Sequence, residues 1–384
     1  MVGKSRYIFY SFAFLTGFAG QAYGIIFNLY MRRQDFTNAQ ISAIVSSSLW
    51  GSAVFGLILA IALSEFEKRR ILFVSSLLTG TLMILRAVIL TFPAQILLAF
   101  VSGAVSSLSG MAFTASLLAK TELKKRYSVF GSQFSISMTA SVLGNILGGI
   151  MADSFGYSFS LLFAASLQLC SAFLIQKIGS VRNVSPLLKG FSLDSVQKRV
   201  LTYYVLSNVL VGFGAGLFLN FSNLMFYDLF GLPLGHVGLI MALAQLMTAL
   251  GSFSSGALQK RFGTLRVLLT CYTAVVPLMF SLSFTRNLIA FAGLYVVRFM
   301  LMNMVNPSLT VLVFSNLPEQ IIMSANGFGN LLNNSSRALA AYLYGWIVEG
   351  PKDYTRLLLI STLFYGLNAL LTWWFKKRLE KLVS

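Results

Sequence analysis

The segment EFEKRRILF, residues 65–73, is followed 196 residues later by a related segment, RFGTLRVLL, residues 261–269. In this alignment Arg70 falls on Arg266, and two pairs of glycines farther along the chain keep the same offset. Both segments are short and basic, and each lies between two apolar runs. A fixed offset held over several runs indicates a chain built from two related halves.

The runs on either side of these segments are strongly apolar. Hydrophobic residues make up 57% of the 384-residue chain and charged residues 10%, with a mean hydropathy of +0.77, whereas soluble domains carry about 25% charged residues. Apolar runs of roughly 20 residues recur throughout, and each can cross a bilayer core of about 30 Å as a helix. The sequence therefore predicts an all-α polytopic membrane protein. Its twelve predicted spans are 7–31, 39–64, 71–92, 95–119, 127–152, 157–177, 200–226, 236–259, 266–285, 288–316, 321–347 and 355–376.

The first run follows Lys4 and Arg6, as the apolar part of a signal peptide would, but it continues to about Met31 and is followed by further spans. It is therefore predicted to be a retained helix. The longest segment between spans predicts the domain division: a six-helix bundle over 1–177, a linker over 178–199, and a second six-helix bundle over 200–384.

The formal net charge of +18 reflects membrane topology. Lys and Arg cluster at the ends of apolar runs and form no basic stripe with interleaved aromatics, which argues against nucleic-acid binding. If the N-terminus is cytoplasmic, 21 of the 29 basic residues lie on the cytoplasmic side and five on the other. This bias predicts a plasma-membrane protein with both termini in the cytoplasm. Cys170 and Cys271 lie inside apolar runs, so neither a disulfide framework nor a metal site is expected.

The second basic segment is part of GALQKRFGTLR, residues 256–266, which resembles the G-x-x-x-D-R-x-G-x-x-R loop of the major facilitator superfamily. The residues that match this loop are Gly256, Arg261, Gly263 and Arg266. Lys260 replaces the acid of the family's pattern. The equivalent turn of the first half, residues 62–70, keeps Arg69 and Arg70. GNILGGIMADSFGY, residues 144–157, is similar to the family's glycine-rich fifth helix.

The resemblance covers essentially the whole chain and implies two six-helix bundles that move by alternating access around a central site near the membrane midplane. It also implies that the two basic turns act as cytoplasmic gates. The alternative is that the basic turns only set the topology.

The eleventh span contains NGFGNLLNNSSRALAAYLYG, residues 326–345. At 100° per residue, Asn326, Asn330, Asn333 and Arg337 lie within about a 60° arc, opposite an apolar face. An arginine at the membrane centre costs about 2.5–3.5 kcal/mol on insertion scales, so this face is predicted to point into the bundle or a cavity. For the asparagines, the alternative role is hydrogen bonding between helices, at about 0.6 kcal/mol each.

Polar residues also recur on one face of the first, seventh and tenth spans, which the resemblance places around the cavity. The predicted substrate-binding residues are Gln21, Asn220, Asn223, Arg298, Asn306, Asn330, Asn333 and Arg337. Arg86, nearer the outer end of the third span, is predicted to pack or to extend to the interface.

The 11 acidic residues all lie at span ends or in loops, and the only histidine, His236, begins the eighth span. Arg298 and Arg337 thus have no acidic partner within the spans. The resulting hypothesis is a substrate with a phosphate or carboxylate, the groups that arginine binds best.

The sequence favours a secondary transporter of a small or amphiphilic solute. The alternatives are efflux of hydrophobic compounds, which the 34 phenylalanines would suit, and a lipid flippase or scramblase on the same scaffold. A membrane enzyme is disfavoured because the acids are peripheral and there is a single histidine. No cofactor is expected, and no glycine loop of the ATP-binding kind is present. The expected partners are the solute and the bilayer, with the chain acting as a monomer.

Overall fold

The computed structural model describes residues 3–63, 66–122, 125–178, 194–317 and 319–383, and every element of these ranges is helical. The first six helices are α1 (Gly3–Arg33), α2 (Asn38–Trp50, π-helical Gly51–Phe55 and Gly56–Ala62), α3 (Lys68–Val88), α4 (Phe92–Ala119), α5 (Arg126–Phe155) and α6 (Tyr157–Ile175). The next six are α7 (Ser195–Gly216, 3-10 Leu219–Phe221 and Ser222–Phe230), α8 (Leu234–Phe262), α9 (Thr264–Phe284), α10 (Leu288–Asn316), α11 (Glu319–Ile347) and α12 (Asp353–Val383).

Ten helices of the described part are long and apolar enough to span a bilayer. The other two are α2, which is interrupted, and α11, which carries the polar face. Many large apolar side chains are exposed, among them Phe253, Ile289 and Trp346, as expected where the surrounding solvent is lipid. The predicted all-α polytopic fold with twelve helices is confirmed.

The interruption of α2 has a cause in its packing against α4. A side chain on Gly51 would lie 2.0 Å from the carbonyl oxygen of Phe100, and one on Gly103 would lie 1.9 Å from that of Ser48. The two backbones are therefore in direct contact where the helix widens into π turns, a common way to insert a local bend. The π turns lie inside the predicted span 39–64, and the helical segments on either side of them occupy the rest of it.

The chain divides into two compact units, Met1–Leu188 with Gly231–Ala242, and Lys189–Phe230 with Leu243–Ser384. Most of the predicted linker 178–199 lies outside the described residues, so the predicted domain boundaries stay a prediction.

The two units repeat the same helix pairings. In the first, α1 packs against α5 and α6, and α3 packs against α4 and α6. In the second, α7 packs against α11 and α12, and α9 packs against α10 and α12. Helices α3 and α9 begin at residues 68 and 264, and α4 and α10 at 92 and 288, so both pairs keep the offset of 196 found in the sequence.

In the first unit, the glycine-rich part of α5 allows close backbone contacts. A side chain on Gly148 would meet Ala22 of α1 at 2.7 Å, and one on Gly149 would meet the Leu234 carbonyl at 2.4 Å. Asp153, one turn farther on, accepts hydrogen bonds from the backbone N–H groups of Leu234 (3.1 Å) and Gly235 (2.7 Å). Its carboxylate thus satisfies the first free donors of α8 at the positive end of the helix dipole.

Candidate functional site

Two arginines lie deep within the helices of the second unit. Arg298 of α10 is 2% exposed, whereas Arg337 of α11 is half-buried, with its Nε atom fully buried. The two side chains are close enough for their charges to repel each other. Buried cations are costly unless their N–H groups find acceptors, so the partners of each decide what the site can bind.

Arg298 is held mainly by aromatic rings. Its guanidinium carbon lies 5.2 Å from the ring centre of Phe218, 5.3 Å from that of Phe299 and 5.4 Å from that of Tyr365. One terminal nitrogen also donates a hydrogen bond to the Tyr365 hydroxyl. These contacts fix the orientation of the planar guanidinium and stabilise its charge without neutralising it.

Arg337 reaches the interruption of α7. Its Nη2 atom donates to the Asn220 side-chain oxygen at 3.1 Å. The approach depends on Gly216, where a side chain would lie 2.6 Å from the Arg337 Cα atom, and on Gly212, where one would meet the Asn333 carbonyl at 2.6 Å. The glycines at i and i+4 thus form a seam along which α7 and α11 are in backbone contact.

The interrupted part of α7 is itself anchored to α11 and α12. The Tyr344 ring stacks on Phe221 with 3.8 Å between ring centres. The hydroxyls of Tyr344 and Tyr354 are 2.8 Å apart, and Tyr354 donates to Asp228 at 2.7 Å. Asn220 is therefore presented to Arg337 from a fixed segment of backbone.

Both arginines keep unused donors. The buried Nε–H groups of Arg298 and Arg337 reach no acceptor within the described ranges, and no described carboxylate forms an ion pair with either side chain. Two neighbouring guanidinium groups with unsatisfied N–H groups can bind a shared anion, because a carboxylate or phosphate accepts bidentate, charge-assisted hydrogen bonds.

Of the other predicted binding residues in the second unit, two bond to backbone groups and two are exposed. Asn333 donates to the Asn208 carbonyl at 2.9 Å, which is a hydrogen bond between α11 and α7. The buried Asn223 accepts from the backbone N–H of Leu224 at 3.0 Å. Asn306 and Asn330 are exposed. Among the described residues, Asn306, Asn330 and Asn333 form no hydrogen bond with the arginine pair.

Gln21 belongs to the first unit and lies on α1 beside Gly144 of α5. The structure therefore brings together Arg298, Arg337 and Asn220 from the predicted set. It adds Tyr365, which sequence reasoning missed because a tyrosine within an apolar span carries no distinguishing pattern. The Asn326 side chain lies outside the described residues.

Pro307 of α10 leaves a backbone carbonyl without its helical partner, as the sequence implies. The carbonyl four residues earlier, that of Asn303, accepts from the Ser252 hydroxyl at 3.3 Å. The Asn303 side chain donates to Thr248 at 3.0 Å. These polar groups join α10 to α8 within the second unit.

The predicted gating residues of the first half form a local ion cluster. Glu67 lies 3.3 Å from Arg69 and 3.0 Å from Arg70, measured between side-chain nitrogen and oxygen atoms. Arg69 also donates to the Ile178 carbonyl just after α6 at 3.0 Å. The α2–α3 turn is thus linked to the end of α6 inside one unit.

In the equivalent turn of the second half, Gly263 caps α9 with a φ of 84°, a left-handed conformation that favours glycine. Gly263 and Arg266 line a cavity of about 480 Å³. The Arg261 guanidinium lies 5.3 Å from the Phe262 ring centre, and Gly256 has open space where a side chain would begin. The gating role of both turns stays a prediction.

Comparison with known proteins agrees with the architecture. A sequence profile of the Major Facilitator Superfamily matches residues 9–341. A mutant of the nucleoside transporter NupG is similar in structure with a TM-score of 0.80 at 14% identity, over 96% of this chain and 99% of that one. No curated protein matches the chain by sequence.

Two further solved structures have the same fold. A bacterial homolog of the human lysosomal transporter Spinster has a TM-score of 0.76 at 11% identity, over 98% of both chains. A D-xylose–proton symporter has a TM-score of 0.74 at 15% identity, over 96% of this chain and 97% of that one. At these identities the similarity concerns the fold alone.

Proposed function

The chain belongs to the Major Facilitator Superfamily and is a secondary transporter of small solutes, and on that basis we propose that its substrate is a small organic anion bound by Arg298 and Arg337. The observation that carries the proposal is the pair of interacting guanidinium groups whose buried Nε–H groups lack acceptors among the described residues. Family membership sets aside the membrane enzyme considered above.

The energetic argument concerns charge. An arginine at depth in a membrane helix is costly and usually marks a functional site. Here two like charges lie together, so each raises the cost of the other. A bound carboxylate or phosphate offsets this cost by attracting both cations and accepting their free N–H groups. Without a bound anion, water is the remaining source of hydrogen-bond acceptors for these two guanidinium groups.

A neutral hydroxylated solute is the second candidate. The structural neighbours include proteins named as nucleoside and D-xylose transporters, and the Asn220 amide and Tyr365 hydroxyl could bind sugar hydroxyls. Efflux of hydrophobic compounds and lipid movement are the remaining alternatives for the same fold. Two adjacent cations favour the anion over all three.

The test is counterflow into proteoliposomes with matched pairs of solutes, such as a carboxylate and its carboxamide, or a sugar phosphate and the free sugar. We expect exchange of the anionic member to be accelerated and to fall at least tenfold in Arg298→Gln and Arg337→Gln. The neutral member should change little. Arg356→Gln, which removes an exposed arginine near the start of α12, controls for the loss of one charge.

Equal loss for both members of a pair, or no loss for either, would refute the anion proposal. Faster exchange of hydrophobic compounds would favour efflux, and lipid movement without solute selectivity would favour a scramblase.

We further propose that the transporter acts as a monomer in the plasma membrane with both termini cytoplasmic. The excess of Lys and Arg on one side of the predicted spans supports this orientation. Reporter fusions at each terminus, active only in the cytoplasm, would test it. Inactive reporters at both termini would indicate the opposite orientation.

A further inference from the structure

Arg86 of α3 is buried without a hydrogen-bonding partner. Its side chain is 9% exposed and its guanidinium carbon lies 4.3 Å from the ring centre of Phe27 on α1. The guanidinium donates no hydrogen bond within the described part of the chain, and its Nε–H group is fully buried. The sequence-based expectation that Arg86 packs or extends to the interface is therefore incomplete, because stacking on one ring leaves five N–H donors unused.

Arg86 borders a cavity of about 400 Å³ that lies wholly within the first unit, between α1, α3, α4, α5 and α6. This volume is in the range of small-molecule sites. Besides Arg86, its polar lining includes Ser102, Ser109, Gln133 and Gln168. None of the residues that line it belongs to the second unit.

The polar groups of this lining differ in what they already bind. Gln133 donates to Ser137 at 2.9 Å, and Ser109 is 3.1 Å from Ser76. Ser102 and Gln168 are buried, and their side chains make no hydrogen bond to a described residue. A cation, a hydroxyl and an amide thus share one cavity with their bonding capacity unused. Buried polar groups normally have partners, and within this cavity those partners are water or a bound ligand.

The position of Arg86 is fixed by its neighbours. Gln95 of α4 donates to the Arg86 carbonyl at 2.7 Å and to the Ile89 carbonyl, which holds the end of α3. Tyr23 of α1 donates to the Met83 carbonyl at 2.9 Å one turn earlier. A binding group held in this way loses little freedom when a ligand arrives.

The described acids of this unit offer no alternative partner, because they are engaged elsewhere. Glu67 pairs with Arg69 and Arg70, Glu122 pairs with Lys125 at 2.9 Å, and Asp153 caps α8. Asp35 lies in the turn after α1, away from the cavity lining.

We infer that the cavity inside the first unit is a second binding site, specific for a small hydroxylated organic anion. Arg86 binds its carboxylate or phosphate, and Ser102 and Gln168 bind its hydroxyl groups. Arginine favours planar or tetrahedral oxyanions, whereas the hydroxyl and amide side chains provide the donors and acceptors that a polyol requires. The inference does not rest on the anion proposal for Arg298 and Arg337.

The experiment measures binding to the purified full-length chain in a neutral detergent, so that no anionic lipid competes. The probes are gluconate and glucose 6-phosphate, with glucose as the matched neutral solute. The starting variant carries Arg298→Gln and Arg337→Gln, which removes the proposed transport site. We expect saturable binding of at least one anion to persist in it, with glucose at least tenfold weaker.

Adding Arg86→Met to that variant should weaken anion binding at least tenfold, since the charged hydrogen bonds are lost. Arg356→Gln in its place should leave binding unchanged. In the otherwise native chain, Gln168→Leu should weaken binding several-fold, which provides a second test if the triple variant does not fold.

The thermal unfolding of the ligand-free protein separates binding from a structural role. A ligand-binding Arg86 without internal partners should give an Arg86→Met variant that unfolds at the same or a higher temperature. A lower unfolding temperature would show that Arg86 supports the fold, and would overturn the inference. Failure of both anions to bind, or equal binding with and without Arg86, would also overturn it.

Discussion

The two units have the same helix pairings and differ in where they place charge. Helices α3 and α9 keep an offset of 196 residues, yet Arg86 of the first unit aligns with the buried Leu282 of the second. Arg298 of the second unit aligns likewise with Ser102 of the first. The shared scaffold is set by helix lengths and apolar contacts. The chemistry depends on single positions at which the two halves have diverged.

The surroundings of the arginines differ as well. Arg298 and Arg337 lie near each other, with Tyr365 and Asn220 as hydrogen-bonding partners. Arg86 stacks on the Phe27 ring, and its guanidinium donates no hydrogen bond to any described residue. A pair of cations suits an anion that must be bound and released during transport, whereas one cation in an internal cavity suits a ligand held inside one unit. This comparison predicts effects of different sizes.

The largest effect is expected from a double-mutant cycle on the arginine pair. Arg298→Gln and Arg337→Gln should each lower anion counterflow at least tenfold, and the double variant should be little worse than the worse single one. Groups that bind one shared charge act as a unit, so their effects are not additive. Initial rates in proteoliposomes measure this, and fully additive losses would show that the two arginines act separately.

The next effect concerns the glycine seam, where the repeat provides a matched control. Gly216 aligns with Gly20 at the same offset, but a side chain would meet Arg337 backbone at 2.6 Å in the first case and open space in the second. Gly216→Ala should cost about 1–3 kcal/mol by overpacking, and Gly20→Ala less than about 0.5 kcal/mol. Thermal unfolding in detergent compares them. Equal unfolding temperatures would contradict the close approach of α7 and α11.

A smaller effect is expected from removing one hydroxyl beside Arg298. Tyr365→Phe keeps the ring but removes the acceptor of the Arg298 hydrogen bond. The anion concentration that gives half-maximal counterflow should therefore rise roughly fivefold, which corresponds to about 1 kcal/mol of binding free energy. Tyr23→Phe, which removes the hydrogen bond to the Met83 carbonyl in the first unit, should leave that half-maximal concentration unchanged. The reverse order of the two effects would contradict the placement of the transport site.

The smallest effect concerns the cap of α8. Asp153→Asn removes the negative charge at the helix N-terminus and leaves one acceptor oxygen for the N–H groups of Leu234 and Gly235, so the contribution of the charge is the part of the loss that depends on salt. The expected loss is about 0.3–1 kcal/mol, seen as a small fall in unfolding temperature that shrinks at high salt. A loss independent of salt would point to geometry and not to charge.

Much of the fold was predictable because the length and hydropathy of an apolar run identify a membrane helix in the sequence. The offset of 196 in the sequence reappears in the starting residues of α3 and α9. The π turns of α2 were not predictable, since they depend on contact of Gly51 and Gly103 with the opposing backbone. Such contacts between two helices leave no periodic pattern in the sequence of either helix.

The candidate site was predictable in part. Arg298 and Arg337 stand out as charges within apolar spans, and the structure brings Arg337 beside Asn220 and close enough to Arg298 for the two charges to interact. Asn333 instead joins α11 to α7, because an amide is equally suited to binding a helix or a ligand. Arg86 was expected to pack or to extend to the interface, and it packs on the Phe27 ring; that ring and the cavity beside Arg86 come from helices distant in sequence, so neither was predictable.

The most direct test of the central claim is an experimental structure with a transported organic anion bound. The account predicts that the anionic group lies about 2.7–2.9 Å from guanidinium nitrogens of both Arg298 and Arg337. A bound solute whose charged group contacts neither arginine would contradict it.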